Sequence, residues 1–228
     1  MATVTLVSTS GADPHYFNED PSVPSDPSSV PLVLPDLSLT LTTDAGVFGR
    51  QRVDAGSKLL LLDGPAPDPA ARTLVDLGAG YGPIAVTLAH RHPEATVWAV
   101  EVNGRARELC RANAEAASLQ NVRVVAPEDI PADLTVDRLW SNPPIRIGKP
   151  ALRELLTTWL NRLAVDGSAH LVVQRHLGAD SLQRWLSDSG WPTGRRGSKA
   201  GYRLLDVRRA SPSAAETTNV ESTDGGDT

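Results

Sequence analysis

Cysteine is almost absent from this sequence of 228 residues, since Cys110 stands alone. A single thiol excludes an intrachain disulfide and favours a reducing compartment, the cytoplasm. The five histidines show no ligand-like spacing, so we expect no metal site. No run approaches the ~18 apolar residues of a membrane helix, and the N-terminus lacks a basic-then-apolar signal pattern. We therefore expect a soluble cytoplasmic protein without metal or membrane contact, in an oligomeric state that the sequence leaves open.

Positive charge is also scarce, because 22 Lys and Arg residues face 27 Asp and Glu residues and give a formal net charge of −5. A surface with this balance does not coat nucleic acid or an anionic membrane indiscriminately. Any contact with a polyanion must then depend on a local group of basic side chains.

Composition separates the chain into three parts. Residues 211–228 contain no Lys or Arg and almost nothing apolar, so we predict a disordered acidic tail. Residues 1–31 are rich in Pro, Ser and Asp, and we predict an irregular N-terminal arm. Residues 32–210 remain as one globular domain.

Hydrophobic periodicity within this domain alternates between strand and helix. Strands are predicted over 74–77, 96–100, 122–125, 136–140, 167–174 and 202–208, and helices over 83–92, 103–118 and 179–189. A further amphipathic helix is predicted from a stripe that runs from Leu152 to Leu163. Such alternation predicts an α/β fold with a mostly parallel sheet and helices on both faces.

Glycine is concentrated after the strand at 74–77, in the stretch Asp76-Leu77-Gly78-Ala79-Gly80-Tyr81-Gly82-Pro83. Glycines permit a tight turn and let a ligand approach the backbone closely. The spacing differs from the G-x-G-x-x-G of dinucleotide-binding folds, and Pro83 crowds the place where a pyrophosphate would rest. The sequence of this stretch is compatible with two interpretations, a plain strand-to-helix turn and a ligand-binding loop.

Two further strand ends carry polar residues. Glu101 ends the strand at 96–100, where a carboxylate can accept both ribose hydroxyls of a nucleoside or simply face solvent. Asn142-Pro143-Pro144 follows the strand at 136–140, and its two prolines hold the asparagine extended with its amide aimed outward. Since the carboxyl ends of parallel strands share one edge of a sheet, we expect the three strand ends to form one site.

The glycine loop, Glu101 and Asn142-Pro143-Pro144 together resemble class I S-adenosylmethionine-dependent methyltransferases. The nearer resemblance is to the small-domain family typified by ribosomal RNA small subunit methyltransferase C, with 41–48 and 53–60 also similar. It covers about residues 15–209. The resemblance implies a Rossmann-like fold with a seven-stranded sheet, a methyltransferase domain over 32–210, S-adenosylmethionine as cofactor, and guanine N2 of ribosomal RNA as substrate.

The resemblance also implies roles for individual residues. Those expected around the methionine part of the cofactor are Asp76, Gly78, Ala79, Gly80 and Tyr81. Those expected around its nucleoside are Glu101 at the ribose, Val102 and Asn103 beside the adenine, and Asp129 at the adenine amine. The expected catalytic residues are Asn142, Pro143 and Pro144, with Asn142 also next to the cofactor, and the expected substrate contacts are Phe48, Ile145 and Arg146.

The chemistry of an exocyclic amine explains the Asn-Pro-Pro stretch. Such an amine is a weak nucleophile because its lone pair is delocalised into the ring. The Asn142 side-chain oxygen and the Pro143 carbonyl would each accept one amine N–H, so methyl transfer needs mainly orientation in a dry, polar pocket. No general base is required before transfer.

Two departures from the family pattern affect the substrate. Ile145 stands where the class usually has an aromatic residue that stacks on the target base, so either Tyr81, Phe48 or Trp191 replaces it or the target is an unusual one. The ribosomal enzyme also has an N-terminal domain without a counterpart here. Basic residues would then bind RNA, or would be ordinary solvated surface: Arg146, Lys149 and Arg153 beside the site, and Arg195, Arg196, Lys199, Arg203, Arg208 and Arg209 near the C-terminus.

Three alternatives to guanine N2 methylation stay open on the sequence alone. Asn-Pro-Pro followed by an aromatic residue also serves protein glutamine methylation and adenine N6 methylation, and Ile145 disfavours both. The third alternative is a catalytically inactive scaffold that binds the cofactor, which the pair Ile145-Arg146 would suit.

Overall fold

A seven-stranded sheet forms the centre of the computed structural model, which describes residues 22–66 and 68–209. The strands within these residues are β1 (Ser28–Val33), β2 (Ser38–Thr43), β3 (Thr73–Leu77), β4 (Thr96–Val100), β5 (Val122–Val125), β6 (Val136–Ser141), β7 (Leu163–Gln174), β8 (Thr193–Lys199) and β9 (Tyr202–Arg208). The helices are α1 (Ala55–Asp63), α2 (Pro83–Arg91), α3 (Gly104–Ala116), α4 (Lys149–Leu160) and α5 (Ala179–Asp188).

The strand order in the sheet is β5-β4-β3-β6-β7-β9-β8. Strands β3 to β7 run parallel, while β9 pairs antiparallel with both β7 and β8. The predicted α/β fold with a mostly parallel seven-stranded sheet is confirmed. The five parallel strands end at the same edge, which is where such sheets bind ligands.

The two faces of the sheet bury separate groups of apolar side chains. Along β3, Leu74 belongs to one group, and Val75 and Leu77 belong to the other. The first group includes residues of α1, α2 and α3, and the second includes residues of α4 and α5. Because successive strand residues point to opposite faces, an almost continuous apolar strand requires helices on both sides.

A separate antiparallel hairpin, β1–β2, is fixed to the sheet through α3. The Asn113 side chain accepts the N–H of Thr42 at 2.8 Å and donates to the carbonyls of Thr42 and Tyr81, each at 2.9 Å. One buried amide therefore joins the hairpin to the glycine loop. This connection brings the segment between β2 and α1 to the carboxyl edge of the sheet.

Strands β1, β7 and β8 and helix α4 differ from the sequence prediction. Strand β1 begins at Ser28, inside the predicted irregular arm, because Val30 and Leu32 are buried on alternate positions although Pro31 interrupts the pattern. Helix α4 ends at Leu160, and Leu163 already pairs with Val136 in the sheet. The helix was predicted to extend too far because Leu163 packs in the same apolar group as the buried residues of α4.

Strand β8 was not predicted, since its sequence is polar and contains two glycines. It lies at the sheet edge, where exposed charged side chains are common. The rest of the predicted arm and the predicted tail, residues 1–21 and 211–228, lie outside the described residues. No helix among those described has the length and apolarity to cross a membrane.

Candidate active site

A cavity of about 430 Å³ opens at the carboxyl edge of the parallel strands. The segment after each of these five strands contributes to its wall, with Gly78 after β3, Glu101 after β4, Pro127 after β5, Asn142 after β6 and Leu177 after β7. Its volume lies within the range of roughly 300–1,000 Å³ typical of small-molecule sites. The topology therefore brings the three predicted strand ends into one cavity.

Gly78 and Gly80 form an open cradle in the cavity wall. Their φ angles of +78° and +57° fall in the region that glycine favours. A Cβ atom built on either residue would meet no atom within 4 Å, whereas one built on Gly82 would lie 2.6 Å from the Cys110 Sγ. Gly82 therefore serves the packing of α2 against α3, and the cradle leaves room for a ligand such as S-adenosylmethionine to approach the backbone.

The other residues of this loop that the resemblance singled out, Ala79 and Tyr81, also line the cavity. Tyr81 is buried, and its hydroxyl donates to the Gly49 carbonyl at 3.4 Å. Burial raises the pKa of the Tyr81 hydroxyl, and the charge of Asp54 raises it further. The phenol therefore stays protonated and acts as a donor.

Glu101 lies at the end of β4 with its carboxylate turned toward the glycine loop. Its Oε2 accepts the N–H of Gly80 at 2.8 Å, and its Oε1 accepts the N–H of Asn103 at 2.9 Å. Burial raises the pKa of Glu101, while these backbone hydrogen bonds oppose that shift. Each carboxylate oxygen keeps acceptor capacity, so the side chain is able to hold two neighbouring hydroxyl groups.

Asp76 is fully buried behind the loop and does not line the cavity. Its Oδ2 accepts the N–H of Ala85 in α2 at 2.9 Å, and its Oδ1 has no hydrogen-bond partner among the described residues. Burial raises the pKa of Asp76 to about 8, despite the hydrogen bond from Ala85. Asp76 therefore anchors α2 and supports the loop from behind, and its contact with the cofactor stays a prediction.

Two more expected cofactor residues are also placed elsewhere. Asn103 is buried, and its side chain caps α3 by accepting the N–H of Ala106 and donates to the Gly46 carbonyl. Asp129 is exposed at the end of the short turn Pro127–Asp129 and does not line the cavity. Pro127, the first residue of that turn, does line it. Val102 does line the cavity, as expected.

The Asn142 side chain is held in one orientation by two acceptors. Its Nδ2 donates to the Asp54 Oδ2 at 2.7 Å and to the Ser57 Oγ at 3.1 Å. Because a carboxylate only accepts hydrogen bonds, the amide nitrogen must lie on this side. The Asn142 Oδ1 is thus turned away from Asp54 and is available to a donor in the cavity.

The prolines after Asn142 shape a tight turn. Pro143 and Pro144 line the cavity, and the N–H of Ile145 donates to the Pro143 carbonyl at 2.8 Å. The Pro143 carbonyl that we expected to bind an amine is thus partly used within the turn. It keeps one lone pair, so Asn142 is the stronger of the two acceptors.

The substrate side of the cavity has an apolar and a basic part. Phe48, Ile145 and Arg146 line it as expected, and Phe48 is half exposed at its mouth. Of the three aromatic residues considered as replacements for the missing stacking residue, Trp191 does not line the cavity and Tyr81 is buried. Phe48 is the one placed to contact an entering base.

Asp54, Ser57, Gln174 and Tyr202 line the cavity but were not predicted from the sequence. Asp54 caps α1 by accepting the N–H groups of Gly56 and Ser57. The Gln174 Nε2 donates to the Tyr202 hydroxyl at 2.9 Å. The stretch Asp-x-Gly-Ser signals a helix start, but nothing local reveals that its aspartate reaches Asn142.

Most of the C-terminal basic residues that we expected to bind RNA are engaged with acidic partners. Asp180 pairs with both Arg195 and Arg203. Arg196 pairs with Asp206 at 2.8 Å and Lys199 pairs with Asp63 at 3.0 Å. These pairs offset much of the charge of the cluster, so the basic residues beside the cavity are better placed to contact a polyanion.

The chain is similar to known proteins over most of its length. A profile of the methyltransferase small domain matches residues 38–191. The uncharacterised protein YbxB of Bacillus subtilis (strain 168) is 31% identical over 198 residues, which are 86% of this chain and 98% of that protein.

Two proteins named for ribosomal RNA are also similar. Ribosomal RNA small subunit methyltransferase C of Shewanella halifaxensis is 30% identical over 63% of this chain, which spans 42% of that relative. The structure of the 16S rRNA N2 methyltransferase of T. thermophilus, in complex with AdoMet and guanosine, superposes with a TM-score of 0.69 and 24% identity. That superposition covers 83% of this chain and 52% of the other, so the likeness establishes the fold.

Proposed function

The chain belongs to the methyltransferase small domain family, and on this basis we propose that it methylates an exocyclic amine, guanine N2 of ribosomal RNA, with S-adenosylmethionine as donor. The observation that carries the proposal is the fixed Asn142 amide in the cavity that also holds the glycine cradle and Glu101. One cavity would therefore bind both the cofactor, which contains a nucleoside, and the amine that receives the methyl group. A ribosomal RNA substrate also places the protein in the cytoplasm.

The residues at one end of the cavity suit the cofactor. The Gly78 and Gly80 backbone admits a ligand at contact distance, and the Glu101 carboxylate faces the same space. S-adenosylmethionine, when bound there, supplies an electrophilic methyl group. Glu101 would accept the ribose hydroxyls, with Val102 beside the adenine.

Asn142 would act on the amine. Its Oδ1 accepts one amine N–H and so directs the nitrogen lone pair into the cavity. The amine nitrogen would bond to the methyl carbon as the sulfur–carbon bond breaks, and the methylated amine would release one proton to solvent at the cavity opening. Orientation in a water-excluded cavity supplies most of the rate, so no general base is needed first.

Guanine N2 is preferred over the alternatives for two reasons. The relatives named above include a small subunit ribosomal RNA methyltransferase and a 16S rRNA N2 methyltransferase crystallised with guanosine. The apolar mouth formed by Phe48 and Ile145 suits a flat base better than the glutamine of a protein.

Tritiated methyl incorporation with wild type and Asn142→Ala tests the proposal. The acceptors are ribosomal RNA transcribed in vitro and, separately, purified ribosomal proteins. We expect label in RNA, and we expect Asn142→Ala to lower kcat about a hundredfold while its S-adenosylmethionine affinity in calorimetry stays unchanged. Label only in protein, or equal kcat for both enzymes, would reject the proposal.

A further inference from the structure

A second, smaller pocket adjoins the substrate side of the main cavity. Its volume is about 40 Å³, and it shares Ile145 and Leu177 with that cavity. The glycine loop and Glu101 do not contribute to it, so it lies beyond the acceptor end and not beyond the cofactor end. We refer to it as the flanking pocket.

The wall of the flanking pocket is largely apolar, but it also contains two cations and a hydroxyl group and no acidic residue. Lys149 and Arg153 form part of its wall, and Ser181 contributes a hydroxyl. Lys149 and Arg153 are exposed and form no ion pair within the part of the chain that the structure describes. The Arg153 guanidinium lies 5.2 Å from the centre of the Trp185 ring, a cation–π contact between two residues of the pocket wall that leaves its N–H groups able to donate to an anion.

This arrangement differs from that of the paired basic residues near the C-terminus. The C-terminal basic residues described above are balanced by Asp63, Asp180 and Asp206. Unneutralised cations around a concave surface with no acidic residue in its wall favour an anionic ligand.

The size of the pocket narrows the choice of ligand. It has room for only a few water molecules, which is too little for a nucleobase and is enough for a phosphate group. A base held in the main cavity carries its neighbouring phosphates with it. The anion nearest to a methylated nucleotide in RNA is therefore the phosphate that links it to the next one.

We propose that the flanking pocket binds the backbone phosphate next to the methylated nucleotide, with Lys149, Arg153 and Ser181 as its donors. This inference rests on the proposed function, because it takes RNA as the substrate. It assigns the recognition of RNA to this pocket and not to the C-terminal basic cluster.

The double variant Lys149→Met/Arg153→Met tests this proposal. Methionine keeps an unbranched apolar stem, so the packing on Trp185 is largely retained while both charges are lost. The control is Arg123→Met/Arg184→Met, which removes the same charge from two exposed residues that line neither cavity. Binding of ribosomal RNA transcribed in vitro is measured at several KCl concentrations, together with kcat and S-adenosylmethionine affinity.

We expect the dissociation constant for RNA to rise about tenfold in the test variant. The slope of log affinity against log salt should become shallower by about 0.7, the value for one phosphate of a single strand. The kcat at saturating RNA and the cofactor affinity should match those of the control variant.

Two results would overturn the proposal and are distinguishable from each other. If wild type methylates RNA but both double variants bind it with the same affinity and salt slope, the flanking pocket does not hold a phosphate and the proposed function stands. If wild type transfers methyl groups only to protein, or to neither acceptor, the proposed function fails and the phosphate site fails with it.

Discussion

Asn142 owes its orientation to a residue outside the Asn-Pro-Pro stretch. The Asp54 Oδ2 accepts the Asn142 amide and two backbone N–H groups of α1 at the same time. A helix cap and an active-site contact therefore share one oxygen atom. Asp54 is a positioning residue, because it fixes which atom of Asn142 faces the cavity.

Asp54→Ser separates these two functions. Serine caps a helix about as well as aspartate, but it is too short to reach Asn142. We expect kcat to fall about tenfold with no change in melting temperature or cofactor affinity, since about 1.4 kcal/mol of orientation is lost. Asp54→Asn keeps an oxygen at the same position and should restore most of kcat. An equal loss in both variants would show that the carboxylate acts by its charge and not by positioning Asn142.

Asp76 should make stability depend on pH. Its pKa is about 8 in the folded protein against an ordinary value of 3.8, so the folded state binds more protons between these values. The free energy of unfolding therefore falls as pH rises from about 4 to about 8. In cofactor-free protein, the melting temperature of wild type should decrease more steeply over this range than that of Asp76→Asn. Parallel pH profiles would mean that Asp76 is already ionised in the folded state.

Among the structural elements, the glycine loop shows most directly how backbone conformation makes a site. Gly78 and Gly80 combine positive φ angles with open space in front of the backbone. Gly82 has a positive φ as well, but its neighbour is Cys110. The spacing G-x-G-x-G thus contains two functional glycines and one packing glycine.

Gly78→Val should abolish S-adenosylmethionine binding in calorimetry, because its methyl groups would fill the cradle. A positive φ also strains any branched residue, by about 1–2 kcal/mol. Gly190→Val is the matched control, since Gly190 has a φ of +85° and no atom within 4 Å of its built Cβ, and it does not line the cavity. Binding retained by Gly78→Val, or lost equally in the control, would remove the loop from the cofactor site.

Elements with a strong apolar pattern could be predicted from the sequence, and others could not. The apolar runs of β3, β4 and β6 predict these buried strands correctly. The glycine loop, Glu101 and Asn142 could then be identified as the residues that follow the strand ends. Strand β8 is a polar edge strand that is held mainly by backbone pairing with β9, which leaves no pattern. The Asp54–Asn142 contact joins residues 88 positions apart, and only the folded topology brings them together.

At the scale of the whole molecule, Lys149 and Arg153 lie next to the main cavity and form no ion pair with any described residue. The predicted family, the Rossmann-like fold class, the methyltransferase class and S-adenosylmethionine as cofactor are confirmed at the level of the family. The chain spans almost all of YbxB but 42% of the ribosomal RNA relative, so the substrate stays a proposal. These two cations, together with the apolar mouth formed by Phe48 and Ile145, favour RNA as the substrate.

The identity of the methylated nucleoside tests the central claim most directly. Ribosomal RNA transcribed in vitro would be treated with wild-type protein and S-adenosylmethionine carrying a deuterated methyl group, then digested and analysed by mass spectrometry. We predict deuterated N2-methylguanosine, reduced about a hundredfold in initial rate with Asn142→Ala. Deuterium in N6-methyladenosine, or none in any nucleoside, would contradict the account.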